Sequence, residues 1–312
     1  MCAVFGLIDY NHRLSTKAKE KILKVLSREC EVRGTDATGY AFNKADKLTV
    51  FKRPLPAHKL KLRLPDNVNV IMGHTRMATQ GNQLLNYNNH PFVGKAVLQQ
   101  FALAHNGVIS NDYLLHRNKE IPETTIETDS YAAVQLIEKE KHLDFDSIKA
   151  MTETLKGSFV FTILDEEDSI YFVRGSNPLT IYNFYNDGFY LYASTKDILA
   201  NTMKKLGISK RPKYELEIKE GDILKIDCFG EIEKTSFNYD DWDNWYLKYC
   251  RLIKPSSVID DLYDVAWSFG IDEECIDLLY SYGYTSDEIE ELLYDPDELM
   301  NTMEILNCDY CF

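Results

Sequence analysis

The sequence predicts an α+β protein of stacked β-sheets with helices on the outside. Three observations carry this. Short apolar runs of strand length recur from the N-terminus to about residue 226, several of them paired. Only a few stretches between them have helical periodicity. A chain of 312 residues, 45% hydrophobic and 27% charged, has the material for a full core and one or two domains.

Taken in order, Ala3–Ile8 reads as a buried strand. Ser15 or Thr16 can cap a helix to about Glu31, with Ile22, Leu23, Val25 and Leu26 on one face. After the turn-rich Arg33–Gly39, Tyr40–Phe42 and Leu48–Phe51 form a hairpin. Val68–Met72 is a short strand leading into a loop from Gly73 to Asn82. Phe101–Ala104 is another, ending at His105-Asn106-Gly107. Thr128 is the expected cap of a helix over Asp129–Lys141. Ser158–Leu164, Ile170–Val173, Leu179–Tyr182, Phe189–Ala193 and Ile223–Ile226 complete the strands. There is no internal repeat.

Charge divides the chain. It carries −14 overall, but the stretch from Asp240 onward holds 19 acidic residues against Lys248, Arg251 and Lys254, so the first 239 residues are close to neutral. This jump predicts two domains, 2–239 and an acidic 240–312. The acidic balance argues against a nucleic-acid partner. No apolar run approaches a membrane span, and Ala3–Ile8 is too short for a signal peptide, so a cytoplasmic location is expected. Seven Cys fit reduced thiols there. Cys308 and Cys311 form a C-x-x-C pair with no companion pair or His cluster, and no metal or other cofactor is expected.

Cys2 is the residue with chemistry to offer. Removal of Met1 would place a thiol and an α-amine on one residue, with ordinary pKa values near ~8.5 and ~7.7–8.0. That is a compact nucleophile and base. Five separated pieces surround it: Cys2-x-x-x-x-Gly6; Arg33-Gly34-x-Asp36-x-x-Gly39; Gly73-His74-Thr75-Arg76-x-Ala78-Thr79-x-Gly81 with Asn89-His90-Pro91; His105-Asn106-Gly107-x-Ile109-x-Asn111; and Glu127-Thr128-Asp129. Gly175-Ser176-x-Pro178-Leu179 and Ala193-Ser194 add weaker pieces. Together, over about residues 2–235, they resemble the class II glutamine amidotransferase domain, most nearly the glutaminase half of glucosamine-6-phosphate synthase.

The resemblance implies a four-layer αββα sandwich of the N-terminal-nucleophile hydrolases. It also implies hydrolysis of the side-chain amide of L-glutamine through a thioester on Cys2. A primary amide is a poor electrophile, so the residue types make sense. Asn106 can offer its side-chain NH₂ and Gly107 its backbone N–H to an oxyanion. Arg76 suits a substrate α-carboxylate and Asp129 an α-ammonium. Thr79 matches a position that touches the carboxylate; Arg33 and His74 match supporting residues. Singly, each has a plainer reading: Asn-Gly makes tight turns, Arg76 fits a solvated loop, Asp129 a helix cap. His74, His90 and His105 suggest a metal, but their family counterparts are structural. Alternatives are an amidohydrolase for another amide or γ-glutamyl compound, and a non-catalytic glutamine sensor.

Two positions depart from the synthase pattern. Met77 and Gln80 stand where Trp and His are usual, and the Trp belongs to the route toward the synthase site. The chain also lacks the Ser-Gly-Gly-x-Asp-Ser pyrophosphatase loop, a phosphoribosyl-pyrophosphate motif and a Gly-rich phosphate loop. The ammonia acceptor is therefore expected on another protein. The 240–312 stretch reads as short helices: Asp272–Tyr280, then Thr285 with Glu288 as a capping box, then Asp295-Pro296 opening a third. It is expected either to complete the fold or to dock that partner, with Trp242, Trp245 and Tyr246 packing back on the first domain.

Overall fold

The computed structural model describes residues 2–239 apart from 46, 79 and 98, together with 262–263, 265–266, 269, 271, 273–295, 298–299, 302–303 and 306. It divides into two compact units, Met1–Trp242 and Asp243–Phe312. Trp242, Trp245 and Tyr246, named above as a packing element, lie outside the described residues, as do Cys250, Cys308 and Cys311.

The first unit is the four-layer sandwich. One sheet contains β1 (Ala3–Ile8), β2 (Ala37–Lys44), β3 (Lys47–Arg53), β4 (Val70–Arg76), β9 (Thr180–Phe184), β10 (Phe189–Ala193) and β11 (Tyr214–Glu215), in the order β11-β9-β10-β1-β4-β2-β3. The other contains β5 (Phe92–Lys95), β6 (Gln100–Ile109), β7 (Gly157–Asp165), β8 (Ile170–Arg174), β12 (Asp222–Ile226) and β13 (Ile232–Ser236), in the order β13-β12-β8-β7-β6-β5. All pairings are antiparallel.

Strand β1 shows why. Its side chains alternate: Val4 and Ile8 enter the core between the sheets with Met72, Ala102, Ala104 and Phe172, while Ala3, Phe5 and Leu7 face the helices outside. Those helices are α1 (Thr16–Cys30), capped by Ser15, and α5 (Lys196–Leu206), capped by Thr195. They bury Ile22, Leu23, Leu26, Ile198 and Leu199 on the sheet. The outer face of the second sheet carries α3 (Tyr131–Glu140) and α4 (Phe145–Thr154), which bury Ala133, Leu136, Ile137, Ile148 and Met151. A short helix α2 (Asp112–Arg117) follows β6. Between β1 and α1, Asp9 and Lys19 form a buried ion pair at 3.0 Å. The Asp9 carboxylate also accepts from the N–H groups of Arg13 and Leu14, so no charge is left uncompensated.

Three expectations need correction where they touch the site. Arg76 is the last residue of β4 and buried, not a loop residue. His105–Ile109 continue β6 instead of ending it, because β7 pairs with them as far as Ile109↔Gly157. Thr128 makes no side-chain cap: α3 starts at Tyr131, Ser130 is its N-cap, and the first turn is closed by backbone bonds to the Thr128 and Asp129 carbonyls.

The second unit has its own core of Leu262, Ile271, Ile276, Leu279, Ile289, Leu292 and Leu293, among others. It contains α6 (Glu273–Ser281) and α7 (Ser286–Leu293). The Thr285–Glu288 capping box forms as the sequence indicates. Among the described residues no helix is long and apolar enough to cross a membrane.

Candidate active site

Cys2 stands immediately before β1 and takes its position from that strand. With Ala3 opposite Thr75 in β4 and Phe5 opposite Ala193 in β10, the strand is held on both sides. The Cys2 Sγ donates to the carbonyl of Met77 at 3.5 Å. Burial pushes the thiol pKa up; the Met77 carbonyl contact and the nearby Arg76 guanidinium pull it down, and Asp129 adds to the rise.

Arg33, in the turn after α1, spans two elements. Its Nε donates to the Cys2 carbonyl at 2.7 Å and its Nη2 to the Asn106 Oδ1 at 3.3 Å. One planar guanidinium thereby ties the start of β1 in the first sheet to β6 in the second. The bond to Oδ1 fixes the Asn106 amide, whose Nδ2 is buried without a protein partner among the described residues. The Asn106 carbonyl accepts from Asn177 Nδ2 at 3.1 Å. Gly107 has φ +152°, and a Cβ there would lie 1.9 Å from the Ser158 carbonyl oxygen, so only glycine fits.

Arg76 and Asp129 bring opposite charges into the same pocket. Arg76 Nη1 donates to Asn89 Oδ1 at 2.8 Å, and Nη2 donates to the carbonyls of Gln80 and Gly81. Burial lowers its pKa, while Cys2, Asp129, Asp36 and Glu127 oppose that. The Asp129 carboxylate accepts from the Ile109 N–H at 2.7 Å and from the Ser130 N–H and hydroxyl at 2.7 and 3.0 Å. Its own N–H donates to Gln80 Oε1 at 3.2 Å. The intervening segment is pinned at both ends, by Asp36 on the Ala78 N–H and Glu127 on the Asn82 N–H. Thr79, assigned above to the substrate carboxylate, lies outside the described residues.

The three histidines are buried together. His74 and His90 lie with ring centroids 4.2 Å apart, and His105 stacks on Phe161 at 4.7 Å. His74 Nε2 donates to the His105 carbonyl at 2.9 Å, and burial pushes its pKa down to about 3. His74 thus joins the ends of β4 and β6 as a neutral ring. Among the described residues no three His, Cys, Asp or Glu side chains are grouped to hold a metal.

The structure therefore gathers Cys2, Arg33, Arg76, Asn106, Gly107 and Asp129 around one pocket, with His74 behind it. Cys2, Arg76, Gly107 and Asp129 line it together with Met77, Gln80, His90 and Thr128. Its free space is about 10 Å³, room for one water. Sequence reasoning missed Asn89 and Asn177. Asn89 sits in the Asn-His-Pro piece, so a signal existed; Asn177 occupies an unassigned position between Ser176 and Pro178. Chemically the site offers a thiol, a cation and an anion lining one pocket, with an orphaned amide donor held beside it by Arg33. That set suits attack on an amide carbonyl of a zwitterionic amino acid.

The profile of the family described as "Glutamine amidotransferase domain" matches residues 74–201. Glutamine–fructose-6-phosphate aminotransferase (isomerizing) of Campylobacter jejuni is 28% identical over 247 residues, 74% of this chain and 40% of that protein. The enzyme of the same name from Oceanobacillus iheyensis is 30% identical over 266 residues, 80% of this chain and 42% of its own. The chain thus spans about two fifths of the length of these relatives. Among solved structures, the glutamine phosphoribosylpyrophosphate amidotransferase of B. subtilis superposes with a TM-score of 0.59 at 22% identity, over 77% of this chain and 50% of that one. This likeness concerns the fold.

Proposed function

This chain carries a class II glutamine amidotransferase domain resembling that of glucosamine-6-phosphate synthase, and from that premise we propose that it hydrolyses L-glutamine with Cys2 as nucleophile. With Met1 removed, the α-amine of Cys2 takes the thiol proton, directly or through a water. The thiolate attacks the side-chain amide carbon, and the oxyanion forms against Asn106 Nδ2 and the Gly107 N–H. The amine returns the proton to the departing nitrogen, ammonia leaves, and a thioester remains. Water then releases glutamate. Arg76 holds the α-carboxylate and Asp129 the α-ammonium.

The observation that supports this reading best is the bond from Arg33 to Asn106 Oδ1. It leaves the amide donor buried, oriented and unspent within one guanidinium's span of the nucleophile. Glutamine is far larger than the present free space, so the pocket widens to admit it. The ammonia passes to an acceptor outside the 2–239 unit, and the acidic stretch from Asp240 onward is proposed either to complete the fold or to dock that acceptor.

The test is direct. Intact mass is expected to show Met1 absent, and a diazo-ketone analogue of glutamine is expected to label Cys2 alone. Incubation with glutamine is expected to yield glutamate. Cys2→Ala with full activity would refute the assignment, and equal rates on amides lacking the α-amino acid head would defeat the roles of Arg76 and Asp129.

A further inference from the structure

Among the polar side chains of the pocket that have no part in the mechanism above, His90 and Thr128 leave every side-chain polar atom unpaired, whereas His105 leaves only Nε2. His90 is 4% exposed, and neither ring nitrogen has a protein partner among the described residues. Thr128 is 7% exposed, and its hydroxyl is likewise unpaired. Both line the pocket that contains Cys2, Arg76 and Asp129. A buried polar group left without a partner costs roughly 1–3 kcal/mol, so two of them in one small pocket mark a place built for a ligand.

We propose that His90 and Thr128 complete the recognition of the substrate's amino-acid head, His90 at the α-carboxylate beside Arg76 and Thr128 at the α-ammonium beside Asp129. This rests on the glutamine reading and deepens it. The assignment of ends follows from neighbours. Asn89, adjacent to His90, accepts directly from the Arg76 guanidinium. Thr128 immediately precedes Asp129. The Asp129 carboxylate already receives three protein hydrogen bonds. An ammonium with three N–H groups therefore needs a further acceptor, and the Thr128 hydroxyl can supply it.

His90 is held for this task. Lys52 donates to the carbonyls on either side of it, those of Asn89 and Pro91. The backbone of His90 itself packs against Gly39, where a Cβ would come within 2.1 Å of the His90 carbonyl oxygen. That close approach explains the glycine at the end of the Arg33–Gly39 piece. Burial, with Arg76 and Lys52 nearby, keeps the ring neutral. It therefore offers one N–H and one lone pair instead of a second cation.

The experiment pairs variants with trimmed ligands on the full chain. KM and kcat for L-glutamine are measured for the unsubstituted protein, His90→Phe and Thr128→Val. Inhibition constants are measured for 4-carbamoylbutanoate, which lacks the α-ammonium, and 4-aminobutanamide, which lacks the α-carboxylate. Both substitutions are expected to raise KM for glutamine roughly five- to thirtyfold with kcat within about twofold. His90→Phe is expected to weaken 4-carbamoylbutanoate but not 4-aminobutanamide; Thr128→Val is expected to do the reverse. A purely structural role would weaken all three ligands alike, and that result, or an unchanged KM, overturns the proposal. His90→Gln restores a hydrogen-bonding group and is expected to recover part of the loss even if His90→Phe folds poorly. Should the unsubstituted protein neither hydrolyse nor bind glutamine, the functional reading itself fails, a result distinct from a flat ligand panel in an active protein.

Discussion

Arg33 shows how much of this site depends on residues that never touch substrate. Its bonds to the Cys2 carbonyl and to Asn106 Oδ1 fix the backbone of the proposed nucleophile and the orientation of the proposed oxyanion donor at once. A lysine can satisfy only one of them. Arg33→Lys is expected to lower kcat by roughly 10–100-fold while leaving KM for glutamine within about twofold, the pattern of lost transition-state stabilisation. Asn106→Ala removes the donor itself, and steady-state kinetics are expected to show kcat reduced by about 10²–10³-fold. A pH effect follows from His74. Its folded-state pKa of about 3 lies below the ordinary value of 6.5, so between those limits the unfolded chain binds a proton that the folded chain refuses. Stability is thus full above pH 6.5 and lost as pH falls toward 3. Asp165, raised by burial to about 6, pulls the other way, so the comparison is with His74→Gln. Urea midpoints at pH 7 and pH 5 are expected to fall more steeply in the unsubstituted protein than in the variant. At this scale the sequence singled out Cys2, Arg76, Asn106 and Asp129 because each sits in a compact motif, and their roles are those proposed above. It gave no sign that the partners of Arg76 would be loop carbonyls, or that Asn177 would grip the back of Asn106, because those contacts exist only after two sheets have been stacked.

Among the elements, legibility followed local signals. Ala3–Ile8 and Phe189–Ala193 were readable to the residue because apolar runs there end at polar ones. The helix capped by Ser15 and the Thr285 capping box were likewise readable. Helix α4 was overlooked although Asp144 and Ser147 make a reciprocal cap, and α5 although Thr195 caps it. The edge strands β5 and β13 carry too little apolar character to stand out; β13 is almost wholly exposed. The connection between β1 and α1 invites a stability test. Lys19→Met strands the Asp9 carboxylate in a site with no access to water, and chemical denaturation is expected to show a loss of about 3–5 kcal/mol. A value near zero would mean that water reaches Asp9 when the lysine is gone. Gly107→Ala tests β6 in the same spirit: the added methyl overlaps a β7 carbonyl, so the paired strands must part at the oxyanion donor.

For the molecule as a whole, the second unit has a core of its own, distinct from those of the first, which implies two folding units. A chain ending at Trp242 contains every residue assigned to the active site and is expected to retain glutaminase activity within about threefold, with one calorimetric transition where the full chain gives two. Loss of activity on truncation would make the acidic unit structural and sink its proposed docking role. The topology of the first unit has a further consequence, which concerns time. Strand β1 precedes every other strand of this unit and positions the proposed nucleophile, yet one of its two neighbours is β10, residues 189–193. At a synthesis rate of ~5–20 residues per second, β1 waits roughly 10–40 s for that partner. Throughout the interval residue 1 is open to trimming and the thiol has no assembled site around it. A nascent chain arrested before β10 is expected to be unreactive toward the diazo-ketone analogue, however long it is held. On the proposed function, a residue translated early gains an assembled site only when β10 has formed.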